Sequence, residues 1–148
     1  MGVNVWFKPL KFAVSIAIYF LTIGYPITKY PYTIRAVREQ YDNWDIPDAS
    51  LDAMIVPMSI QLLLENAIKH NVISKAKPLL INVRVKDDFL IVGNEIRPKS
   101  TQLPSTKVGL KNISKRYNLI SSKSIEITND GNRFMVSLPL LKRTEQNH

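Results

Sequence analysis

The sequence contains no cysteine, only two histidines among its 148 residues and no internal repeat. Without cysteine the chain cannot carry a disulfide framework or a thiolate metal site, and it fits a reducing compartment. A chain of this length is expected to form one domain, with at most a short extension. The architectures that depend on disulfides or on repeated units are therefore excluded.

Long apolar runs are also scarce, and residues 12–25 form the one uncharged run of this kind. As a helix these fourteen residues span ~21 Å, which is short of the ~30 Å hydrocarbon core of a bilayer. Extension to Thr28 reaches the lower limit for a span, but Pro26 interrupts it. No small-x-small site follows the run, which disfavours a cleaved signal. Two alternatives stay open for residues 1–28: a membrane anchor through residues 12–28, or a helix packed on the domain.

The charge is one-sided, with a formal net charge of +8. This balance favours anionic partners such as a nucleotide, a nucleic acid or a membrane surface. From Arg97 to Arg116 there are six basic residues and neither an acidic nor an aromatic one. Because single-stranded nucleic-acid binders interleave aromatic residues for base stacking, no nucleic-acid partner is expected. The basic run is either a solvated face or a segment that folds over a polyphosphate.

A helical pattern with a polar front covers residues 57–71. Asn66, Lys69 and His70 stand at i, i+3 and i+4 and therefore share one face of the helix. Asn offers an oxygen to a hard cation such as Mg²⁺, and Lys offers a point charge to phosphate. The alternative is an ordinary amphipathic helix with a Glu65–Lys69 pair on its wet side. The apolar stripe that would be buried contains Ile60, Leu63, Leu64, Ala67 and Ile68.

The remaining pattern predicts short strands and one more helix. Strands are predicted at 79–85, 89–92, 124–128 and 133–138, a helix at 110–120, a loop at 93–107, tight turns at 87–88 and 129–132, a short helix at 33–40, an extended piece at 43–46 and a turn at 48–52. This order predicts an α+β fold with helices on one face of a mixed, mostly antiparallel sheet. The domain is expected at 46–140, after a linker at 29–45 and before a polar tail at 141–148.

The string Glu65-Asn-Ala-Ile-Lys-His-Asn71 resembles the N box of the GHKL ATP-binding fold. The form is that of sensor histidine kinases of the "histidine kinase internal region" type, which pair with LytTR-type response regulators. Residues 55–57 and 59–63 also resemble the run before that box. Gly109, Leu110, Asn112 and Arg116 resemble the box that ends the ATP lid, with Lys107 in place of its first glycine. The resemblance covers residues 46–140 and implies a two-layer α/β sandwich of the Bergerat type.

The resemblance implies ATP and Mg²⁺ as cofactors, held between the Asn66 helix and a lid at 93–109. Asn66 would bind Mg²⁺, Lys69 and His70 would contact phosphate, and Glu65 matches the residue that polarises the attacking group. Asn94 stands where the family has the aspartate that accepts from adenine, and Ile96 stands where it has a glycine. Both departures predict weaker binding. The nucleotide-binding set is Asn66, Lys69, His70, Asn94, Gly109, Leu110, Asn112 and Arg116.

The implied function is that of the ATP-binding catalytic domain of a two-component sensor histidine kinase. The two histidines, His70 and His148, do not stand in a phosphoacceptor box. The expected partners are therefore a phosphoacceptor-histidine domain on another chain and a LytTR-type regulator, with a homodimer formed through an upstream region. The expected location is the cytoplasm, at the inner face of the membrane if residues 12–28 are an anchor. The alternative is a degenerate nucleotide-binding or docking module without kinase activity.

Overall fold

The computed structural model describes residues 8–10, 44–74, 76–100 and 108–142. Several predicted features lie outside these ranges: the apolar run at 12–28, the short helix at 33–40, Lys107 with most of the second half of the predicted lid, and the end of the predicted tail. The rest of the predicted pattern can be compared with the structure directly.

The centre of the fold is a four-stranded antiparallel sheet. Its strands are β3 (Ile81–Lys86), β4 (Phe89–Glu95), β5 (Glu126–Asn129) and β6 (Arg133–Pro139), and they lie in the order β3-β4-β6-β5. The β3–β4 turn is formed by Asp87 and Asp88, both at positive φ (50° and 63°), as a two-residue hairpin turn with the right twist requires. The β5–β6 turn places Gly131 at φ 88°, where a side chain would be strained.

Two α-helices in the described ranges accompany the sheet. Helix α1 (Ser59–His70) contains the predicted polar stripe, and helix α2 (Val108–Ile120) contains the second predicted helix. The first begins two residues later than the pattern from Pro57 suggests, because Met58 is left-handed, with φ 66°, and cannot belong to a right-handed turn. Pro57 therefore lies in the turn before the helix.

Both helices pack on one face of the sheet. Alternate residues of β3 (Ile81 and Val83) are buried while Asn82, Arg84 and Lys86 face outward, exposed. The buried side chains form one core: Leu10, Ile55, Val56, Ile60, Leu63, Leu64, Ala67, Ile68, Leu79, Ile81, Val83, Leu90, Val92, Ile113, Tyr117, Val136 and Leu138. Because α1, α2 and the inner sheet face all contribute to this core, the predicted α+β class with helices on one face is confirmed.

Some predicted boundaries are wrong. Residues 93–95, predicted as loop, continue β4, because Gly93, Asn94 and Glu95 pair in register with Met135, Phe134 and Arg133. The β5 strand begins at Glu126 and not at residue 124, and it is exposed along its whole length as an edge strand. Polar residues near a strand end do not show whether a neighbouring strand extends far enough to pair with them.

Among the described residues, the parallel component of the sheet is one bridge, in which Asp45 pairs with Arg84 at the β3 edge. A separate two-stranded sheet joins β1 (Lys8–Pro9) to β2 (Met54–Ile55), and Leu10 is fully buried in the core. Residues 8–10 therefore belong to the folded unit. Among the helices in the described ranges, none is both long and apolar enough to cross a membrane.

Candidate functional site

The polar residues of α1, Asn66, Lys69 and His70, are at least partly accessible to solvent. Leu62, Asn66 and His70 follow one another at intervals of four residues, so they form one line along the helix. All three are half-buried, whereas Lys69 is exposed. The opposite side of α1 is inside the core. The helix thus presents an amide, an ammonium and an imidazole at the margin of the domain, as the sequence pattern predicts.

The C-terminal end of α1 is capped by two side chains. Asn71 Nδ2 donates to the carbonyl oxygen of Ala67 at 2.8 Å, and Lys99 Nζ donates to that of Ile68 at 3.1 Å. These carbonyls belong to the last turn, whose acceptors have no partner within the helix. No glycine follows this helix, and Asn71 is extended (φ −109°, ψ 147°), so the left-handed cap that often ends a helix is replaced by side-chain donors.

The same side chains attach the residues after β4 to the helix. Asn71 Oδ1 accepts from the backbone N–H of Arg97 at 2.6 Å, and Val72 N–H donates to the Arg97 carbonyl at 2.7 Å. Ile96 N–H donates to the carbonyl of Asn132 at 2.8 Å. The 96–99 segment lies in a loop, as predicted, and these bonds hold it on both sides.

The Arg97 side chain also contributes to this attachment. Its guanidinium forms an ion pair with Glu95 at 2.7 Å and donates to the Pro78 carbonyl at 3.0 Å. Both contacts are exposed, so each contributes modestly to stability. Their main consequence is directional, because a planar guanidinium with two partners holds one orientation of the chain.

Three basic side chains are brought together at this end of the helix: Lys69, His70 and Lys99. The pKa of His70 is lowered, first by burial and then by the charges of Lys69 and Lys99. A neutral imidazole can still donate one N–H to a phosphate oxygen. Since the C-terminal end of a helix carries partial negative charge, cations are needed before an anion could bind beside it.

The first turn of α2 lies against Leu62, at the end of the first turn of α1. A Cβ atom added to Gly109 would come within 2.8 Å of Leu62 Cδ2, so glycine allows the two helices to approach closely here. Asn66 follows Leu62 by one helical turn, about 6 Å along the same line. The N-terminal end of α2 therefore begins one turn from Asn66. Helix N-termini present free N–H groups and partial positive charge, which suit anions.

Asn94 lies near the end of β4 on the inner face of the sheet, in the row that contains Ile81 and Phe134. It is one of four buried polar residues in the described ranges, at 7% exposure. Its Nδ2 donates to the carbonyl of Glu95 at 2.7 Å. The amide is thus oriented by a local bond, and its carbonyl oxygen is the group that could accept from a base.

The other predicted site residues have no described contact with Asn66. Glu65 accepts from Gln61 Nε2 at 2.9 Å. In the part of the chain that the structure describes it forms no ion pair with Lys69, so the pair that the alternative interpretation of this helix includes is not formed there. Leu110 packs against the core, which is a structural role. Asn112 and Arg116 are exposed on α2, and no hydrogen bond in the described ranges joins them to Asn66.

Asn71 and Lys99 were not predicted as site residues. Asn71 closes the N-box string and Lys99 belongs to the basic run, but neither pattern indicates that they meet at one helix end. Within the described ranges, no group of three or more His, Asp or Glu side chains could hold a metal ion. Any cation at Asn66 would therefore need most of its oxygen ligands from a bound molecule and water.

No protein-family model and no curated protein matches the chain. Among solved structures, it is similar to the Acinetobacter baumannii histidine kinase AdeS, with 14% identity and a TM-score of 0.47 over 96% of this chain and 70% of that one. It is also similar to the histidine kinase domain of the E. coli osmosensor EnvZ, with 11% identity and a TM-score of 0.46 over 100% of this chain and 96% of that one. Both are histidine kinase structures, but the similarity is too distant to support an argument about function.

Proposed function

We infer that the chain is the ATP-binding catalytic domain of a two-component sensor histidine kinase. In this function the γ-phosphoryl group passes from ATP to a histidine nitrogen on another domain or chain, and ADP leaves. The partner would supply the phosphoacceptor histidine, and a LytTR-type regulator would receive the group afterwards. The inference rests on the N-box and lid-box resemblance together with the arrangement of α1 and α2.

The observation that carries this proposal is the meeting of the two motifs. Gly109, in the first turn of α2, lies against Leu62 in the run before the N box, and Asn66 lies one turn further along the same line of α1. Two sequence strings more than forty residues apart thus contribute to one side of the fold. A helix N-terminus on one side and Lys69 and His70 on the other would provide positive potential for a phosphate chain.

The residues present fit Mg²⁺ with a nucleotide. The Asn66 amide is half-buried, so its oxygen can be reached, and an amide oxygen suits a hard cation. Since Mg²⁺ usually takes one or two protein ligands together with substrate phosphates and water, one amide is consistent with such a site. Bound Mg²⁺ would neutralise phosphate charge. Lys69 and His70 would bind phosphate oxygens, and the Asn94 carbonyl would accept from the adenine amino group.

Titration calorimetry of the full chain with ADP, with and without Mg²⁺, tests this function. Binding that requires Mg²⁺ is expected. With γ-³²P-labelled ATP and Mg²⁺ in a separate assay, transfer of the labelled phosphoryl group to a separate phosphoacceptor domain is expected, with ADP as the other product. Nucleotide binding without any transfer to several such domains would leave binding as the function. The absence of heat at millimolar Mg-ADP would overturn the assignment.

A second candidate function is a degenerate docking module. Two features favour it: Ile96, where the family has a glycine, has its N–H engaged by Asn132, and the Asn94 amide already donates to Glu95. Both reduce the backbone freedom and the polar groups available to adenine. This candidate predicts a folded protein that binds a partner domain but gives no calorimetric signal with Mg-ADP.

A further inference from the structure

A buried amide holds the carboxylate of Glu65. Gln61 lies one helical turn before Glu65, and its Nε2 donates to Glu65 Oε1 at 2.9 Å. Gln61 is 6% exposed, whereas Glu65 is half-buried. An ionised carboxylate can only accept hydrogen bonds, so the amide must turn its nitrogen towards it. The bond therefore orients both side chains.

The oxygen of the Gln61 amide is left without a partner. Its Oε1 is buried and accepts no hydrogen bond among the described residues. Gln61 borders the core, because Leu64 and Ile68 of the apolar stripe share its side of the helix. A Gln–Glu pair on a solvated face would leave its unused polar atoms to water. Since burial of an unpaired amide oxygen lowers stability, packing alone does not explain a glutamine at this position.

The carboxylate that this amide holds has no cation beside it. In the described ranges Glu65 forms no ion pair, and its hydrogen bond there is the one from Gln61. One carboxylate oxygen is thus oriented, and the other keeps lone pairs for a further donor. Glu65 directly precedes Asn66 in the chain. A fixed, half-buried acceptor at this place has the arrangement that proton transfer requires.

We propose that Gln61 is a positioning residue that holds Glu65 as the proton acceptor of phosphoryl transfer. This rests on the proposed function. One imidazole nitrogen of the acceptor histidine attacks the γ-phosphorus. The N–P bond forms while the bond from that phosphorus to the β,γ-bridging oxygen breaks, and ADP leaves with the electron pair. The proton on the other imidazole nitrogen passes to the second oxygen of Glu65. Gln61 touches neither substrate and acts through Glu65.

The test compares Gln61→Met, Glu65→Gln and the double variant of the full chain. Methionine is an unbranched apolar side chain, so Gln61→Met removes the bond and the unpaired oxygen together. Glu126→Gln is the matched control for Glu65→Gln, since Glu126 is an exposed carboxylate on the edge strand β5. Transfer from γ-³²P-labelled ATP is measured with the phosphoacceptor domain that the wild-type chain labels, and stability is measured in urea.

Gln61→Met is expected to lower kcat about ten- to a hundredfold, because a displaced carboxylate no longer meets the proton that it accepts. The KM for ATP should change by less than about twofold, since no nucleotide contact is removed. The urea midpoint should equal or exceed that of the wild type, because an unpaired buried oxygen is lost. The double variant should be no slower than Glu65→Gln, and Glu126→Gln should match the wild type.

NMR of side-chain amides gives a readout that needs no substrate. The Gln61 amide resonances should shift in Glu65→Gln and not in Glu126→Gln. Resonances that ignore Glu65→Gln would overturn the proposal, since the bond would then be absent in solution. An unchanged kcat in Gln61→Met, a parallel fall in kcat and urea midpoint, or additive losses in the double variant would also overturn it. A wild-type chain that labels no phosphoacceptor domain overturns the proposed transfer, and this inference with it.

Discussion

The two ends of helix α1 are built differently. At its N-terminal end, Ser59 is 1% exposed and Tyr117 of α2 is 0% exposed, and neither hydroxyl has a hydrogen-bond partner among the described residues. At its C-terminal end, Asn71 and Lys99 satisfy two carbonyls and attach the 96–99 segment. One end is thus enclosed by packing, and the other is organised by directed polar bonds.

The difference indicates which end of α1 we expect to influence ligand binding and which end only stability. Buried hydroxyls without partners reduce stability. At the N-terminal end the burial of the neighbouring Ile55, Val56 and Ile60 offsets this cost. At the C-terminal end, the carbonyls of Ala67 and Ile68 each accept from a specific side chain. We expect substitutions of the two hydroxyl residues at the first end to change stability only, and substitutions at the second to change ligand binding as well.

The largest effect is expected at the exposed line of α1. Asn66→Ala or Asn66→Asp should abolish Mg²⁺-dependent nucleotide binding, because the amide oxygen that would hold the cation is removed or replaced by a charge that repels phosphate. The circular dichroism spectrum should not change. Asn82→Ala, at an exposed position on the outward face of β3, is the matched control. If Asn66→Ala binds Mg-ADP normally, the site is elsewhere.

Next in size is Asn71→Ala. It removes two hydrogen bonds at a residue that is 4% exposed, so we expect the free energy of unfolding to fall by about 2–4 kcal/mol in urea denaturation. Hydrogen exchange at the Arg97 amide should accelerate as the segment detaches from the helix. Slow exchange at Arg97 in the variant would show that the segment is held by other contacts.

Gly109→Ala tests the contact that joins the two helices. The new methyl group would come within 2.8 Å of the Leu62 side chain. Because that side chain can move aside in part, we expect the free energy of unfolding to fall by about 1–3 kcal/mol. Leu62→Ala should make the Gly109→Ala substitution much less harmful. A double-mutant cycle measures this coupling, and additive effects would mean that the helices do not meet there.

The smallest effect is expected at the enclosed end. Tyr117→Phe removes a buried hydroxyl without a hydrogen-bond partner in the described ranges, so stability near neutral pH should change by no more than about 1 kcal/mol. A clear loss, above about 2 kcal/mol, would mean that the hydroxyl has a strong partner, and the contrast between the two ends would disappear.

The same variant, Tyr117→Phe, should also change how stability falls at alkaline pH. Burial raises the pKa of the Tyr117 hydroxyl. The backbone of Val56 and the hydroxyl of Ser59 lie near it without reaching hydrogen-bond geometry, so they offset this only in part. The folded state therefore disfavours ionisation of Tyr117. The stability that depends on a neutral hydroxyl is fully present below the pKa in the unfolded chain, about 10, and is lost as the pH rises above it. Thermal melting between about pH 9 and 11 should show a weaker pH dependence in Tyr117→Phe than in the wild type.

Much of the fold follows from local pattern. The apolar stripe of α1, the alternation in β3 and the Asp87-Asp88 turn each predict their structure from neighbouring residues, and all are observed. The residues at which these elements begin and end were less predictable. Helix α1 cannot begin before Ser59 because the backbone of Met58 is left-handed, which the identity of this residue does not reveal. Residues 93–95 become strand only because β6 lies beside them.

The candidate site divides in the same way. The sequence alone determined that Asn66, Lys69 and His70 share a helix face, because helical periodicity acts over a few residues. Only the tertiary structure decided that Lys99 and Asn71 meet at the end of that helix and that Gly109 touches Leu62. Those contacts join residues that are 26 to 47 positions apart, at distances set by the sheet and the packing of both helices on it, which no short pattern encodes.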